Sequence, residues 1–189
     1  MDDIQMVEAI KAGDKEAFNR LYEEYSLRLY RTAYLILGNS YDAEDVLQDT
    51  FVSAYRNMSD LKDYTKLKTW LYAILKNRAY KKYNKNQREF PEQDILEKIE
   101  VKGTENSQED KIALEDEIQI CLMNLKPKLR EVIVLYYYND FTIAEIAQIC
   151  GSFQGTVKSR LYKARKDLKR ELEKLNSEVV LPKREEANG

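Results

Sequence analysis

The chain has 189 residues, 43% of them hydrophobic, and its 31 basic and 33 acidic side chains leave a formal charge of only −2. Histidine is absent and glycine and proline number 6 and 3. The commonest general base and zinc ligand is therefore missing, and the scarcity of turn residues points to an all-α fold with small helical cores. Neither a phosphate-binding loop nor a metal-ligand spacing is present, so no enzyme class, cofactor, metal or small-molecule substrate is expected. Cys121 and Cys150 are far apart at apolar-periodic positions and read as buried free thiols of a reducing compartment. The acidic start Met1-Asp2-Asp3 lacks an apolar signal core, and no run approaches the ~18 apolar residues of a membrane span. A soluble cytoplasmic protein is expected.

Four helices are read in the first half. A helical stripe starts near Asp14 with Phe18, Leu21, Tyr22, Tyr25 and Leu29, and runs on through Ala33, Leu35 and Ile36 until Gly38-Asn39-Ser40 stops it. The next helix is expected to begin at Asp42 as N-cap and to turn Ala43, Val46, Leu47, Thr50, Phe51, Ala54, Tyr55 and Met58 inward. A polar segment, Ser59 to Lys68, leads to a helix carrying Trp70, Leu71, Ile74 and Leu75 and continuing toward Tyr83. From about Phe90 to Asp110 the pattern lapses into a run of Glu, Asp, Asn, Ser and Gln, the composition of a flexible acidic linker.

The second half reads as a bundle of about four helices. Leu114, Ile118, Cys121, Leu122 and Leu125 form one stripe, and Leu129, Val132, Ile133 and Tyr136 another behind Pro127, which a first helical turn tolerates. Thr142-Ile143-Ala144-Glu145 fits a capping box, and a short turn at Gly151 precedes a last helix burying Val157, Leu161, Ala164 and Leu168. Two helices about such a turn make a helix-turn-helix.

Three surfaces follow from these periods. With Val157 inward, the last helix turns Ser159, Tyr162, Lys163 and Lys166 outward, flanked by Thr156, Lys158, Arg160 and Arg165. Thr156 to Arg170 holds seven basic residues and one acid. Such a face suits a major groove, with N-terminal residues at base edges and cations on phosphates; a solvated lysine-rich helix is the bland alternative. The helix around Lys76, Arg78, Lys81, Lys82, Lys85 and Arg88 interleaves cations with Tyr64, Trp70, Tyr72, Tyr80 and Tyr83, as single-stranded nucleic acid requires, although Trp70 also has apolar neighbours that favour burying one ring face. Glu44, Asp45, Gln48 and Asp49 lie opposite an apolar stripe. They read chemically as a solvated helix start that complements the dipole, with a docking surface for a basic partner as the other reading.

The stretches Asp42-Ala43-Glu44-Asp45-Val46-Leu47-Gln48-Asp49-Thr50-Phe51, Thr69-Trp70-Leu71-Tyr72-Ala73-Ile74 with Asn77-Arg78, and Gly155-Thr156-Val157-Lys158-Ser159-Arg160-Leu161 resemble, in order and separation, the extracytoplasmic-function (ECF) group of the sigma-70 family over about residues 5–175. The resemblance implies two small helical domains: a four-helix sigma-2-type domain at 5–90 and a sigma-4-type helix-turn-helix domain at 111–175. A linker at 91–110 would join them and a disordered tail would occupy 176–189. It further implies that Asp42, Glu44, Asp45, Gln48 and Asp49 bind the clamp helices of the largest subunit of core RNA polymerase, overriding the chemical reading of that face. The loop from Ser59 to Leu67 would take up a flipped base of the promoter −10 element, with Tyr64, Lys68, Trp70, Lys76, Asn77, Arg78, Lys81 and Lys82 on the opened strand. The helix from Gln154 would read the −35 element through Gln154, Thr156, Lys158, Ser159, Arg160, Tyr162, Lys163, Arg165 and Lys166, with its domain touching the polymerase flap. Control by an anti-sigma factor, membrane-bound in many members, and a monomeric state when free of partners are implied too.

One position departs from the family pattern. The turn before the recognition helix commonly has an apolar residue followed by Ser or Pro, whereas here Ser152 precedes Phe153. Either Ser152 caps from one residue earlier or the helix start is shifted, with consequences for the register of Gln154 and Thr156. A helix-turn-helix regulator without polymerase docking would account for the second half but leave the acidic and aromatic-basic helices of the first half without a role.

Overall fold

A computed structural model describes residues 2–89 and 117–178. The acidic segment read as a linker, Leu114 and the residues after 178 lie outside the described residues. All regular elements described are helical.

The first is one the sequence reading lacks. Helix α1, Asp3–Lys11, is closed at its start by a capping box between Asp2 and Gln5, and buries Met6, Val7 and Ile10. Lys11 Nζ donates to the Leu61 carbonyl at 2.7 Å and Tyr25 OH to the Asp3 carboxylate at 2.9 Å, fixing both ends. Helix α2, Lys15–Leu37, begins where expected, with the Asp14 carboxylate accepting from the Glu16 and Ala17 N–H groups. Leu21, Tyr25, Leu29 and Ala33 are buried, but Tyr22 is exposed. The helix ends on Gly38 in a left-handed conformation (φ 84°), where an added Cβ would also lie 2.8 Å from the Met123 side chain; both backbone and packing require glycine there.

Helix α3, Ser40–Asn57, is capped by Asn39 and not by Asp42. The Asn39 side chain accepts from Asp42 N–H at 2.7 Å and donates to the Asp42 carboxylate at 2.8 Å. Its inner face is as read except at Tyr55, which lies outside. Two short 3-10 turns, Met58–Asp60 and Tyr64–Lys66, then lead into α4, Leu67–Glu89.

In the second half α5 is described over 117–123, followed by α6, Pro127–Tyr137, α7, Ile143–Cys150, and α8, Gln154–Glu178. The Thr142–Glu145 capping box forms and Gly151 (φ 58°) ends α7. Ile118 points outward, and the buried residue of that turn is Gln119, whose amide reaches the Tyr34 carbonyl of α2.

The two helical sets share one core. Leu71, Leu75, Val132, Phe141, Ile146, Val157 and Leu161 belong to a single buried cluster with α1, α2 and α3. Asn139, buried after α6, accepts at Oδ1 from Thr32 Oγ1 (3.1 Å) and Tyr72 OH (2.7 Å), which come from α2 and α4. Phe141 meets the Tyr72 ring edge-on at 4.7 Å. Arg130, 1% exposed, donates to the carbonyls of Ile36, Met123 and Leu125. Burial lowers its pKa to about 10, so it stays charged at neutral pH.

Candidate nucleic-acid and protein interfaces

Helix α8 sorts its side chains as its period demands. Val157, Leu161 and Ala164 are buried, while Lys158, Ser159, Tyr162, Lys163, Arg165 and Lys166 are exposed and Thr156 and Arg160 half-exposed. Lys158, Lys163 and Lys166 enter no ion pair among the described residues, whereas farther along Arg170 pairs with Asp167 and Lys174 with Glu171. Net positive charge is thus concentrated on the first turns, next to the helix-turn-helix corner. Arg165 is oriented from below: its Nε donates to Tyr137 OH at 2.7 Å and its guanidinium sits 5.5 Å from the Tyr136 and Tyr137 ring centres.

The turn before α8 adopts neither arrangement weighed from the sequence. The helix starts at Gln154, and the Phe153 carbonyl accepts from Thr156 and Val157 N–H. Ser152 Oγ is buried without a hydrogen-bond partner, so it caps nothing. Phe153 projects outward, 86% exposed.

Helix α4 divides its residues among three directions. Toward α3, Arg78 donates to Ser53 Oγ at 3.1 Å, Lys82 pairs with Asp45 (2.5 Å) and Asp42 (3.3 Å), and Asn86 donates to Asp42 at 2.6 Å. Those bonds, the one to Asp45 foremost, raise the Lys82 pKa. Toward the second half, Lys68 Nζ stands 4.5 Å from the Phe141 ring centre and Tyr72 is buried at the Asn139 junction. Lys76 faces the buried Glu131, whose carboxyl is pushed up chiefly by burial and which accepts from Cys150 Sγ at 3.1 Å. Asn77 and Lys81 remain exposed, beside half-buried Trp70 and Tyr80. Tyr64 lies in the preceding turn with Lys11 Nζ 4.4 Å above its ring.

The acidic residues of α3 are not equivalent. Glu44, Asp45, Gln48 and Asp49 are exposed, but Asp42 is 7% exposed and its carboxylate is held by Asn39, Lys82 and Asn86. Beyond Asp49 the same outward row continues with Val52 and Tyr55, both about half-exposed, and Tyr22 joins it from α2. The Tyr22 and Phe51 rings stand 4.7 Å apart and those of Phe18 and Tyr55 5.0 Å. An acidic strip therefore runs into an aromatic one. The spacing 45, 48, 49, 52 and 55 carried that signal, masked by reading every tyrosine of the stripe as core.

Family models match in two places: sigma-70 region 2 over residues 21–89 and sigma-70 region 4 over residues 115–168. The ECF RNA polymerase sigma factor SigW of Bacillus subtilis (strain 168) is 33% identical to the chain over 184 residues, covering 89% of the chain and 96% of the relative. The chain belongs to the ECF RNA polymerase sigma factors. SigM of Mycobacterium tuberculosis, another ECF sigma factor, is 31% identical across 94% of the chain and 88% of its own length. Among solved structures, the sigma factor RpoE in complex with the anti-sigma factor NepR from Bartonella quintana aligns with a TM-score of 0.68 at 28% identity, over 82% of the chain and 96% of RpoE. The fold also matches that of CnrH, solved with the cytosolic domain of CnrY, with a TM-score of 0.70 at 24% identity over 91% and 97% of the two chains.

As an ECF sigma factor the protein acts in promoter-directed initiation of transcription with RNA polymerase, in a family of non-enzymatic initiation factors. Its surfaces therefore have to recognise macromolecules. No group of His, Cys, Asp and Glu suited to a metal occurs among the described residues, and no helix there is long and apolar enough to cross a membrane.

Proposed function

We propose that this sigma factor rides on the clamp helices of the polymerase's largest subunit through α3 and reads promoter DNA with α4 and α8. The carrying observation is the separation of charge by helix face: α8 presents Lys158, Lys163 and Lys166 outside ion pairs, while α3 presents Glu44, Asp45, Gln48 and Asp49. Docking uses those three acids and Gln48 together with Val52, Tyr55 and Tyr22, an acid-to-aromatic strip matched to a partner helix that is basic at one end and apolar at the other. Asp42 supports the strip from beneath by holding Lys82 and Asn86. In this reading the unit at 5–90 opens the −10 element with Tyr64, Lys68, Trp70, Lys76, Asn77, Arg78 and Lys81, while Lys82 is held by Asp42 and Asp45. The segment 91–110 is a leash, the unit at 111–175 reads the −35 element and meets the flap, and 176–189 is a tail. The protein works in the cytoplasm, is monomeric when free, and is held at the inner face of the membrane when its anti-sigma factor resides there. The likeness to RpoE, which was solved with an anti-sigma factor, supports that mode of control.

The test reverses charge on the strip. Asp45→Arg with Asp49→Arg should abolish co-purification with core polymerase at unchanged helicity, and with it start-site-specific RNA synthesis from genomic fragments. Normal co-purification of the double variant would reject the docking face.

A further inference from the structure

Two features at the start of α8 have no explanation among the described residues. Phe153 is 86% exposed at a position that ordinarily takes a capping side chain, while the neighbouring Ser152 hydroxyl is buried and caps nothing. The large ring is neither core nor cap. Two residues on, Gly155 lies in the first turn with no left-handed backbone, and a Cβ added there would meet nothing within 4 Å. Glycine is a poor helix former, and no described residue fills the space that its missing side chain leaves. One residue thus offers apolar surface to something outside, and its neighbour lets something outside approach the backbone closely.

Charge identifies the visitor. The same end of α8 carries Lys158 and Lys163 outside any described ion pair, which suits a polyanion, and the N-terminal residues of a helix-turn-helix recognition helix are those that reach base edges. Within a major groove the apolar feature a phenyl ring can contact is the thymine 5-methyl group.

We propose that Phe153 is a specificity-determining residue that packs on a thymine methyl in the upstream promoter element, with Gly155 allowing the close approach that brings the ring there. This rests on the reading of α8 as the duplex-binding helix. It makes Phe153 a direct reader of sequence, and it places the base-contacting register one residue ahead of Gln154.

The test uses the full chain bound to core polymerase and duplexes that it selects from a randomised pool. Each thymine of the upstream element is replaced in turn by uracil, which keeps the pairing and removes only the methyl. At one position uracil should weaken binding about four-fold, the factor for withdrawing one methyl group from burial. Phe153→Ala should lose the same factor on the thymine duplex and bind both duplexes equally. Phe153→Ser should do likewise while raising the melting temperature through a new cap, which separates lost recognition from lost folding. Retained discrimination in Phe153→Ala overturns the proposal, as does a wild type indifferent to every thymine methyl. In the same titrations Lys163→Ala reports on the parent reading: a reduced salt slope alongside absent methyl discrimination sinks Phe153 alone, and an unchanged slope sinks the duplex-binding helix together with it.

Discussion

Helices α4 and α8 are both rich in cations, yet the molecule treats them oppositely. On α8 the lysines of the first turns stand clear of the protein, and Arg165 is propped outward by Tyr137. On α4 Arg78 and Lys82 are bonded to α3 and Lys68 lies against Phe141 of the second half. Clustered positive charge therefore says little about readiness to bind. What decides is whether the rest of the fold has already occupied the partners' places. In this arrangement α8 is available to a duplex, while α4 shows only one side, around Asn77 and Lys81, and the tyrosine in the middle of its other side is sealed under Asn139.

The sharpest way to break that contrast is to unseat the second half from the first. Arg130→Ala strands the carbonyls of Ile36, Met123 and Leu125 in a buried site, at a cost of about 3 kcal/mol or more. The urea midpoint should fall accordingly; a fall of less than about 1 kcal/mol would mean that the halves are not held by this residue.

Asn139→Ala comes next, at about 2 kcal/mol, since it leaves the Thr32 and Tyr72 hydroxyls buried with one acceptor gone. Tyr72→Phe in the Asn139→Ala background should then cost much less than in the wild type, and a double-mutant cycle without such coupling would dissolve the junction. A pH experiment reads the burial of the same phenol. Burial holds the Tyr72 phenol up to about 12 against an ordinary 10.0, so between those values the unfolded state gives up this proton while the folded state keeps it. Stability from this group is complete below about pH 10 and is lost as pH rises toward 12. Tyr72→Phe should flatten that alkaline decline; an unchanged profile would place the phenol in water.

How far the fold was legible follows from the range of each interaction. The stripe of Val157, Leu161 and Ala164, the Thr142–Glu145 box and the Asp14 cap are written within a few residues, and they stand as read. The outward turn of Tyr22 and Tyr55 was lost because tyrosine serves core and surface alike. Helix α1 escapes periodicity because nine residues give only about two and a half turns, although Asp2 and Gln5 spell its cap. Asn139 had no local signature at all: its partners Thr32 and Tyr72 are 107 and 67 residues away, and a polar contact at that distance leaves no trace in periodicity. The same limit of range holds between α3 and α4: Lys82 bonds Asp42, a pairing that periodicity does not announce.

The smallest effect discriminates most finely between the two helices. Lys163→Ala should lower the slope of log affinity against log salt by about one on an upstream-element duplex, because one phosphate contact and its released counterion disappear. On a duplex that also carries the −10 element, Lys82→Ala should leave the slope alone, since its charge is already matched by Asp42 and Asp45. Its loss should register instead as a modest fall in thermal stability, of the order of 1 kcal/mol for a partly exposed pair. If both variants changed the slope equally, the ion pairs on α4 would be opening in the complex. Charge would then count by its placement in the chain alone, and the distinction between the two helices would fail.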